Sequence, residues 1–388
     1  MCTRCVRFAQ EVSGTRELCV VQRGAREEID VFPGFPLDNP LQGNVVDICP
    51  VGALLDKDFL FQQRVWFLSK TPSIDGLTCS GDNISVEHNG GRIYRVRPRT
   101  NLEINQWWIT DEVRYGWKVV HDDSRLTMPA VRGEDPYEPA EAPLAWEAAY
   151  ARTGEALAAG HVAMMVSPML SCEDAYLLAR LVAEQTEQMT LAVGPVPRVG
   201  EDKTFPSGFT AYAEKAPNAR GVRRVLEKFS ANVIDYDTFV RRLSSGTDFA
   251  TLVLTGNYPS DWVTDDFLAA IDSRTVILID TLVTKLVDRA EVVIPAATWT
   301  EKSGTFENVN NRLQAFERAI TPIDFCKGEA QIALDLTAAQ AGETPTIYNP
   351  VATRQEMADV HDLKEFLTGV HLPAVTALIE SDMQIVDV

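Results

Sequence analysis

Met1-Cys2-Thr3-Arg4-Cys5 opens the chain, and Asp47-Ile48-Cys49-Pro50-Val51-Gly52-Ala53-Leu54 answers it. A Cys-x-x-Cys pair presents two thiolates from one tight turn, and a distant cysteine followed by proline offers another. Iron–sulphur cubes are held by cysteines spaced in this way, with proline after the last ligand. A cube takes four ligands and Cys2, Cys5 and Cys49 supply three. Extending the x-x-Cys rhythm backwards places the fourth ahead of Met1. Two other chemistries use the same residue types. A thioredoxin-like redox pair lies between a strand and a helix, and nothing strand-like precedes Cys2. A zinc site brings a second Cys or His pair at short spacing, which Cys49 lacks. Spacing alone leaves the three open.

Charge narrows the partners. The net charge is −19, and it is uneven: residues 1–125 carry 15 Lys/Arg against 17 Asp/Glu, and residues 126–388 carry 21 against 38. So acidic a remainder excludes a nucleic-acid footprint, which is basic. A length of 388 residues accommodates two or three domains. No apolar run reaches the length that spans a bilayer, and Cys2 and Arg4 sit where the apolar core of a signal peptide would begin. The expectation is a soluble intracellular protein, or one held peripherally at a membrane by partners. An odd, scattered set of 7 cysteines is no disulfide framework. Cys19, Cys172 and Cys326 read as buried structural thiols.

Val6, Ala9 and Val12 recur at helical spacing and Ser13-Gly14 stops them, which predicts a short helix after Cys5. Residues 20–36 are turn-rich, and residues 54–68 predict a packed helix or an extended connector. The Cys-Thr-Arg-Cys-Val-Arg-Phe-Ala-Gln-Glu-Val-Ser-Gly run, with Gly43-Asn44-Val45-Val46-Asp47-Ile48-Cys49-Pro50-Val51-Gly52-Ala53-Leu54, resembles the G-type large iron–sulphur subunit of respiratory NADH:quinone oxidoreductase, complex I. The resemblance implies that Cys2, Cys5 and Cys49 match the second, third and fourth ligands of one [4Fe–4S] cluster. The family carries further cluster domains ahead of this point, so an N-terminally truncated chain is expected.

Asn83-Ile84-Ser85-Val86-Glu87-His88, the turn Asn89-Gly90-Gly91 and Arg92-Ile93-Tyr94-Arg95-Val96-Arg97-Pro98 predict a β-hairpin. His88 reads as an exposed strand residue, not a ligand. Followed by Asn105-Gln106-Trp107-Trp108-Ile109-Thr110-Asp111-Glu112-Val113-Arg114-Tyr115-Gly116, the hairpin is similar to the N-terminal cluster module of molybdopterin oxidoreductases. The positions matching that module's four cysteines are Asp75, Thr78, Asp82 and Thr110, so the resemblance implies a scaffold without its cube.

Beyond a Pro- and Glu-rich linker at 132–143, buried runs alternate with helix-length segments. Strands are predicted at 161–167, 191–194, 250–255, 275–280 and 291–295, and helices at 144–159, 171–184, 222–229 and 262–271. This order implies a parallel, doubly wound sheet, with any ligand at loops such as Thr255-Gly256-Asn257 and Asp280-Thr281-Leu282. No dinucleotide or P-loop fingerprint occurs. Ser171-Cys172-Glu173-Asp174 and Gly304-Thr305-Phe306-Glu307-Asn308 resemble the molybdopterin family, yet residues 191–220 hold neither Cys nor His to ligate its metal. No molybdopterin is expected.

The expected division is a partial ferredoxin-like cluster segment at 1–70, a degenerate iron–sulphur module at 71–125, an α/β molybdopterin-oxidoreductase-like domain without an active site at 126–343, and a tail at 344–388. The resemblance implies an electron-transfer and scaffold subunit of the complex I peripheral arm, passing electrons through a [4Fe–4S] cluster toward quinone. Its partners would be other peripheral-arm subunits, including the one that binds flavin and NADH. It would lie on the cytoplasmic face of a bacterial inner membrane, or on the matrix side in mitochondria. The alternatives are a catalytic molybdopterin enzyme such as a formate dehydrogenase, the relay subunit of an NAD-linked hydrogenase, and a cluster-free structural subunit.

Overall fold

The computed structural model describes residues 2–246, 249–272 and 274–373, so the end of the expected tail, 374–388, lies outside the described residues. Helix α1 (Arg4–Arg7) runs into a π-helical turn at Phe8–Val12 and ends at Ser13, before Gly14 with φ +71°. Strands β1 (Leu18–Val21) and β2 (Glu28–Val31) pair antiparallel, Leu18 against Val31. Helix α2 (Asn44–Ile48) returns to pack on α1. Val6, Phe8, Leu18, Leu41 and Val45 make one small core, closed by Phe205 and Phe209 from far along the chain. Of the two forms expected for residues 54–68, a packed helix or an extended connector, residues 51–67 take a connector and form no α-helix. They are turns ending in a 3-10 turn at Val65–Phe67, with Val51, Phe61, Trp66 and Phe67 exposed.

The expected hairpin is present as β4 (Asn83–Asn89) and β5 (Arg92–Pro98), with a bulge at Glu87/His88. A preceding edge strand, β3 (Ser69–Ile74), completes a three-stranded antiparallel sheet. Pro72 fits there because an edge strand need not donate on both sides. His88 is half-buried, its Nε2 hydrogen-bonded to Thr71 Oγ1 at 2.9 Å. Helix α3 (Asp111–Tyr115) is capped by Thr110, whose Oγ1 accepts from Val113 N.

The large sheet reads, edge to edge, β6 (Ala130–Val131), β13 (Val292–Pro295), β12 (Thr275–Asp280), β11 (Thr251–Thr255), β7 (Val162–Val166) and β8 (Met189–Val193). Only β6 is antiparallel. Central parallel strands are covered on both faces, so their sequences are continuous apolar runs; every residue of β7 and β11 is buried. One face is covered by α4 (Ala142–Leu157), α5 (Cys172–Gln185), α6 (Ala219–Leu226) and α9 (Glu329–Ala341), the other by α7 (Tyr236–Ser244) and α8 (Asp265–Ala270). Helix α5 opens on the expected capping box: Ser171 Oγ accepts from Asp174 N and Ser171 N donates to Asp174 Oδ2, each 3.1 Å.

The segments are stitched together. A two-residue ladder, β9 (Lys203–Thr204) with β10 (Thr210–Ala211), carries Phe205 and Phe209 to the N-terminal core. The hairpin β14 (Gly304–Glu307) and β15 (Leu313–Phe316) sends Phe306 and Phe316 into the core of the β3–β5 module. Past residue 344, α10 (Pro350–His361) lies against α5, where buried Arg354 donates to Glu173 Oε1 at 3.0 Å; a last turn, α11 (Glu365–Thr368), follows. Among the described residues no helix is long and apolar enough to cross a membrane.

Candidate iron–sulphur site and two closed pockets

Cys5 sits inside α1 with its thiol half-buried, three residues after exposed Cys2, and Cys49 follows directly on α2. Helix α1 packs on α2, and Cys5 shares an apolar cluster with Ile48 and Leu54. Pro50 and Gly52 (φ +65°) follow Cys49, and the backbone amides of Val51 and Leu54, then those of Ala53 and Gly52, favour its thiolate. These donors hold the thiol below its ordinary value against the opposing pull of burial. Amide donors favour the thiolate, the form that ligates metal. They are also the groups that tune an iron–sulphur cluster through its sulphur atoms. Among the described residues no three Cys, His, Asp or Glu side chains converge on one metal ion. A cube instead gives each cysteine its own iron, so the thiols that hold it need not converge on a single point.

The loop is anchored by Asp47, two residues before Cys49. Its Oδ1 accepts from Arg97 Nε at 2.8 Å and its Oδ2 from Arg114 Nη2 at 2.6 Å. Asn44 adds bonds to the carbonyls of Leu41 and Ile109, both 2.8 Å, and Asp111 Oδ1 accepts from Gly43 N. Gly43 is required here, since a Cβ would meet Arg114 Nε at 2.5 Å. Thus β5 and α3 hold the turn that carries Cys49. Sequence reading saw the Asp111–Arg114 motif but not this task for it.

In the β3–β5 module, Thr78, Asp82 and Thr110 come together around one cavity of about 10 Å³, and Asp75 lies directly behind. Polar groups fill the place. Asp75 accepts from Leu77 N at 2.8 Å, from Thr78 N and Ser80 Oγ at 3.1 Å, and from Thr78 Oγ1. Burial still pushes Asp75 up to about 6, and raises Asp82 well above its ordinary value with help from the Asp75 charge. Cys79 is the sole cysteine between residues 68 and 118; burial takes its thiol to about 12. These residues do not fit a cube.

The sheet's strands 7, 8, 11, 12 and 13 run in the order 8-7-11-12-13 from one edge, which puts the reversal of winding between β7 and β11. Doubly wound proteins bind ligands in the crevice beyond the strand ends at such a reversal. Here Met169, Ala216 and Tyr258 fill it, and Tyr258 OH donates to Pro195 O at 2.8 Å. The expected ligand loops bond to each other instead, Asn257 N donating to Asp280 Oδ1 at 2.8 Å. A Cβ on Gly256 would lie 2.0 Å from the Asp280 carboxyl.

Comparison with known proteins follows this geography. Residues 1–55 match the ferredoxin-like domain of NADH-quinone oxidoreductase subunit 3. Residues 68–118 match the NDSU1/NuoG-like 4Fe-4S domain of NADH-ubiquinone oxidoreductase, and residues 237–339 match molybdopterin oxidoreductase. The mitochondrial NADH-ubiquinone oxidoreductase 78 kDa subunit of Neurospora crassa is 45% identical over 139 residues, 36% of this chain and 18% of that protein. The mitochondrial NADH dehydrogenase [ubiquinone] iron-sulfur protein 1 of Solanum tuberosum is 45% identical over 134 residues, 34% of this chain and 18% of its own length. The NADH-ubiquinone oxidoreductase 75 kDa subunit of Reclinomonas americana is 39% identical over 149 residues, 38% of this chain and 21% of its own. The match thus spans about a fifth of the length of these relatives. A ferredoxin-like segment, an NuoG-like 4Fe-4S module and a molybdopterin-oxidoreductase segment thus follow one another along the chain, and about a third of it is similar to the large NADH-ubiquinone oxidoreductase subunits named above.

Proposed function

We propose that the chain is an electron-transfer and scaffold subunit in the peripheral arm of an NADH:quinone oxidoreductase. The observation that carries this reading is the Cys49 thiol, its pKa lowered by the backbone of residues 51–54, directly after the helix that packs against the one bearing Cys5. Cys2, Cys5 and Cys49 ligate three irons of one [4Fe–4S] cluster, and the fourth ligand comes from outside these residues. When bound, such a cluster takes up and releases one electron, at a potential set by burial and hydrogen bonds to sulphur. The protein's part is to hold the thiolates, to donate amides toward sulphur, and to fix the loop through Asp47. Flavin, NADH and quinone chemistry belong to partner subunits of the same arm, on the cytoplasmic or matrix face of the membrane. In this reading residues 1–70 are the relay segment, 71–125 and 126–343 the scaffold, and 344–388 its closing tail.

Anaerobic iron and sulphide quantitation with low-temperature EPR, on the chain assembled with its partner subunits, tests the proposal. Cys49→Ser abolishes the reduced [4Fe–4S] signal and Cys172→Ser leaves it intact. An unchanged signal in Cys49→Ser removes that residue from the ligand set. No signal in any assembled form leaves a structural subunit alone.

A further inference from the structure

We propose that the cavity beneath Thr78, Asp82 and Thr110 binds one small monovalent cation of the sodium class. The inference rests on the donors around that cavity and stands apart from the reading of Cys2, Cys5 and Cys49. At about 10 Å³ the space admits one water-sized body or one bare ion. Its lining residues Thr78, Ser80, Asp82, Thr110 and Tyr212 carry side-chain oxygens, with Glu112, Lys215 and Ala211 beside them.

Asp82 is 2% exposed, and no protein donor reaches its Oδ2. Its neighbour Asp75 is the opposite case, satisfied on both oxygens by backbone and hydroxyl donors. A buried carboxylate left without donors or a counter-charge is strongly destabilising. A proton on Oδ2 would cancel the charge but bury an O–H with nothing to accept it. A hard cation answers both needs, because it brings the charge and takes its ligands from carboxylate, hydroxyl and carbonyl oxygens.

Lys215 does not already serve as the counter-ion. Its Nζ donates to Glu112 Oε2 at 2.5 Å and to the Tyr212 carbonyl at 2.9 Å. With Glu112 paired to Lys215 and both Asp75 oxygens taken up by donors, Asp82 Oδ2 is the carboxylate oxygen left to ligate an ion. Among the described residues no three Asp, Glu, His or Cys side chains gather around a single point, as a protein-bound divalent ion would favour.

The test compares thermal unfolding of the full chain in sodium, potassium and choline chlorides at equal ionic strength and pH 8, for the wild type and Asp82→Asn. Sodium is expected to raise the wild-type midpoint over choline by about 2 °C, potassium by less, and the difference to vanish in Asp82→Asn. Equal wild-type midpoints in sodium and choline overturn the proposal. So does a sodium effect that persists in the variant, which marks diffuse surface binding. A midpoint that moves with pH but not with sodium assigns the site to a proton and also overturns it. Should Asp82→Asn fail to fold, sodium-23 NMR relaxation on the wild type decides: saturable excess relaxation supports the site, and its absence removes it.

Discussion

Arg114 reaches from α3 to Asp47, its Nη2 2.6 Å from Oδ2, and so joins the β3–β5 module to the turn that carries Cys49. Arg114 is almost wholly buried, and Asn44 Oδ1 at 3.3 Å is its other side-chain partner. Asp47→Ala therefore strands a buried guanidinium. The expected loss is about 3 kcal/mol in chemical unfolding, together with faster proteolysis around residue 49. Arg97→Ala touches the same carboxylate from a more exposed position and is expected to lose less than about 1 kcal/mol.

Thiol reactivity follows the local donors. Cys49 is held below the ordinary thiol range, whereas burial takes Cys326 to about 11, Cys79 to about 12 and Cys172 well above its usual value. The thiolate is the nucleophile. In metal-free protein, iodoacetamide at pH 7.5 should alkylate Cys49 well before those three, with the order read by peptide mass spectrometry. Labelling of Cys172 ahead of Cys49 would contradict the amide geometry.

Asp280 gives a pH signature. Burial holds its carboxyl at about 6, from an ordinary 3.8, against amide donors from Asn257, Thr281 and Leu282. Between those values the native state keeps a proton that the unfolded chain has released, so stability falls as pH rises through the window. The loss is about 2–3 kcal/mol by pH 6. Asp75 titrates over the same range. Asp280→Asn keeps an oxygen to accept from the Asn257 and Thr281 amides and removes the buried charge. Urea unfolding from pH 4 to 6 should show about 2 kcal/mol less decline than the wild type, and at pH 7 the variant should be at least as stable.

Tyr258 closes the crevice at the strand reversal. Tyr258→Ala removes a buried ring and its bond to Pro195, with an expected loss of about 3–5 kcal/mol in urea unfolding. A loss under about 1 kcal/mol would mean that the neighbouring Met169 and Trp262 collapse into the space.

The large sheet was legible because its strands are buried on both faces, and Val162–Val166, Thr251–Thr255 and Thr275–Asp280 stand out as apolar runs between helices. Ser171 and Asp174 fixed the start of α5 in advance. Helix α9 was not foreseen, since Glu329–Ala341 is buried around much of its circumference and shows little amphipathic contrast. Helix α7 escaped notice although Asp235 caps it, its Oδ1 accepting from Thr238 N at 2.7 Å. The β14–β15 hairpin has strands of four residues, and its apolar side chains point into a core formed by residues 74–120. No local pattern announces such a contact. At the candidate site, Cys2, Cys5 and Cys49 could be read directly as a spacing. Asp47, Arg97 and Arg114 could not, because their meeting depends on how two modules dock. The same holds for the cavity at Asp82, whose far wall is supplied by residues 210–215.

The polar filling behind Thr78 and Asp82 has a consequence for biogenesis. A cube is a cross-link that a chain acquires only when iron and sulphide are delivered, and oxygen can remove it. The β3–β5 module is closed by its own hydrogen bonds and by Phe306 and Phe316. It can therefore mature on the ribosome's timetable, independently of cluster supply. Through Arg97 and Arg114 it then presents the Cys49 turn already in shape, a jig on which metallation of the first segment can take place last.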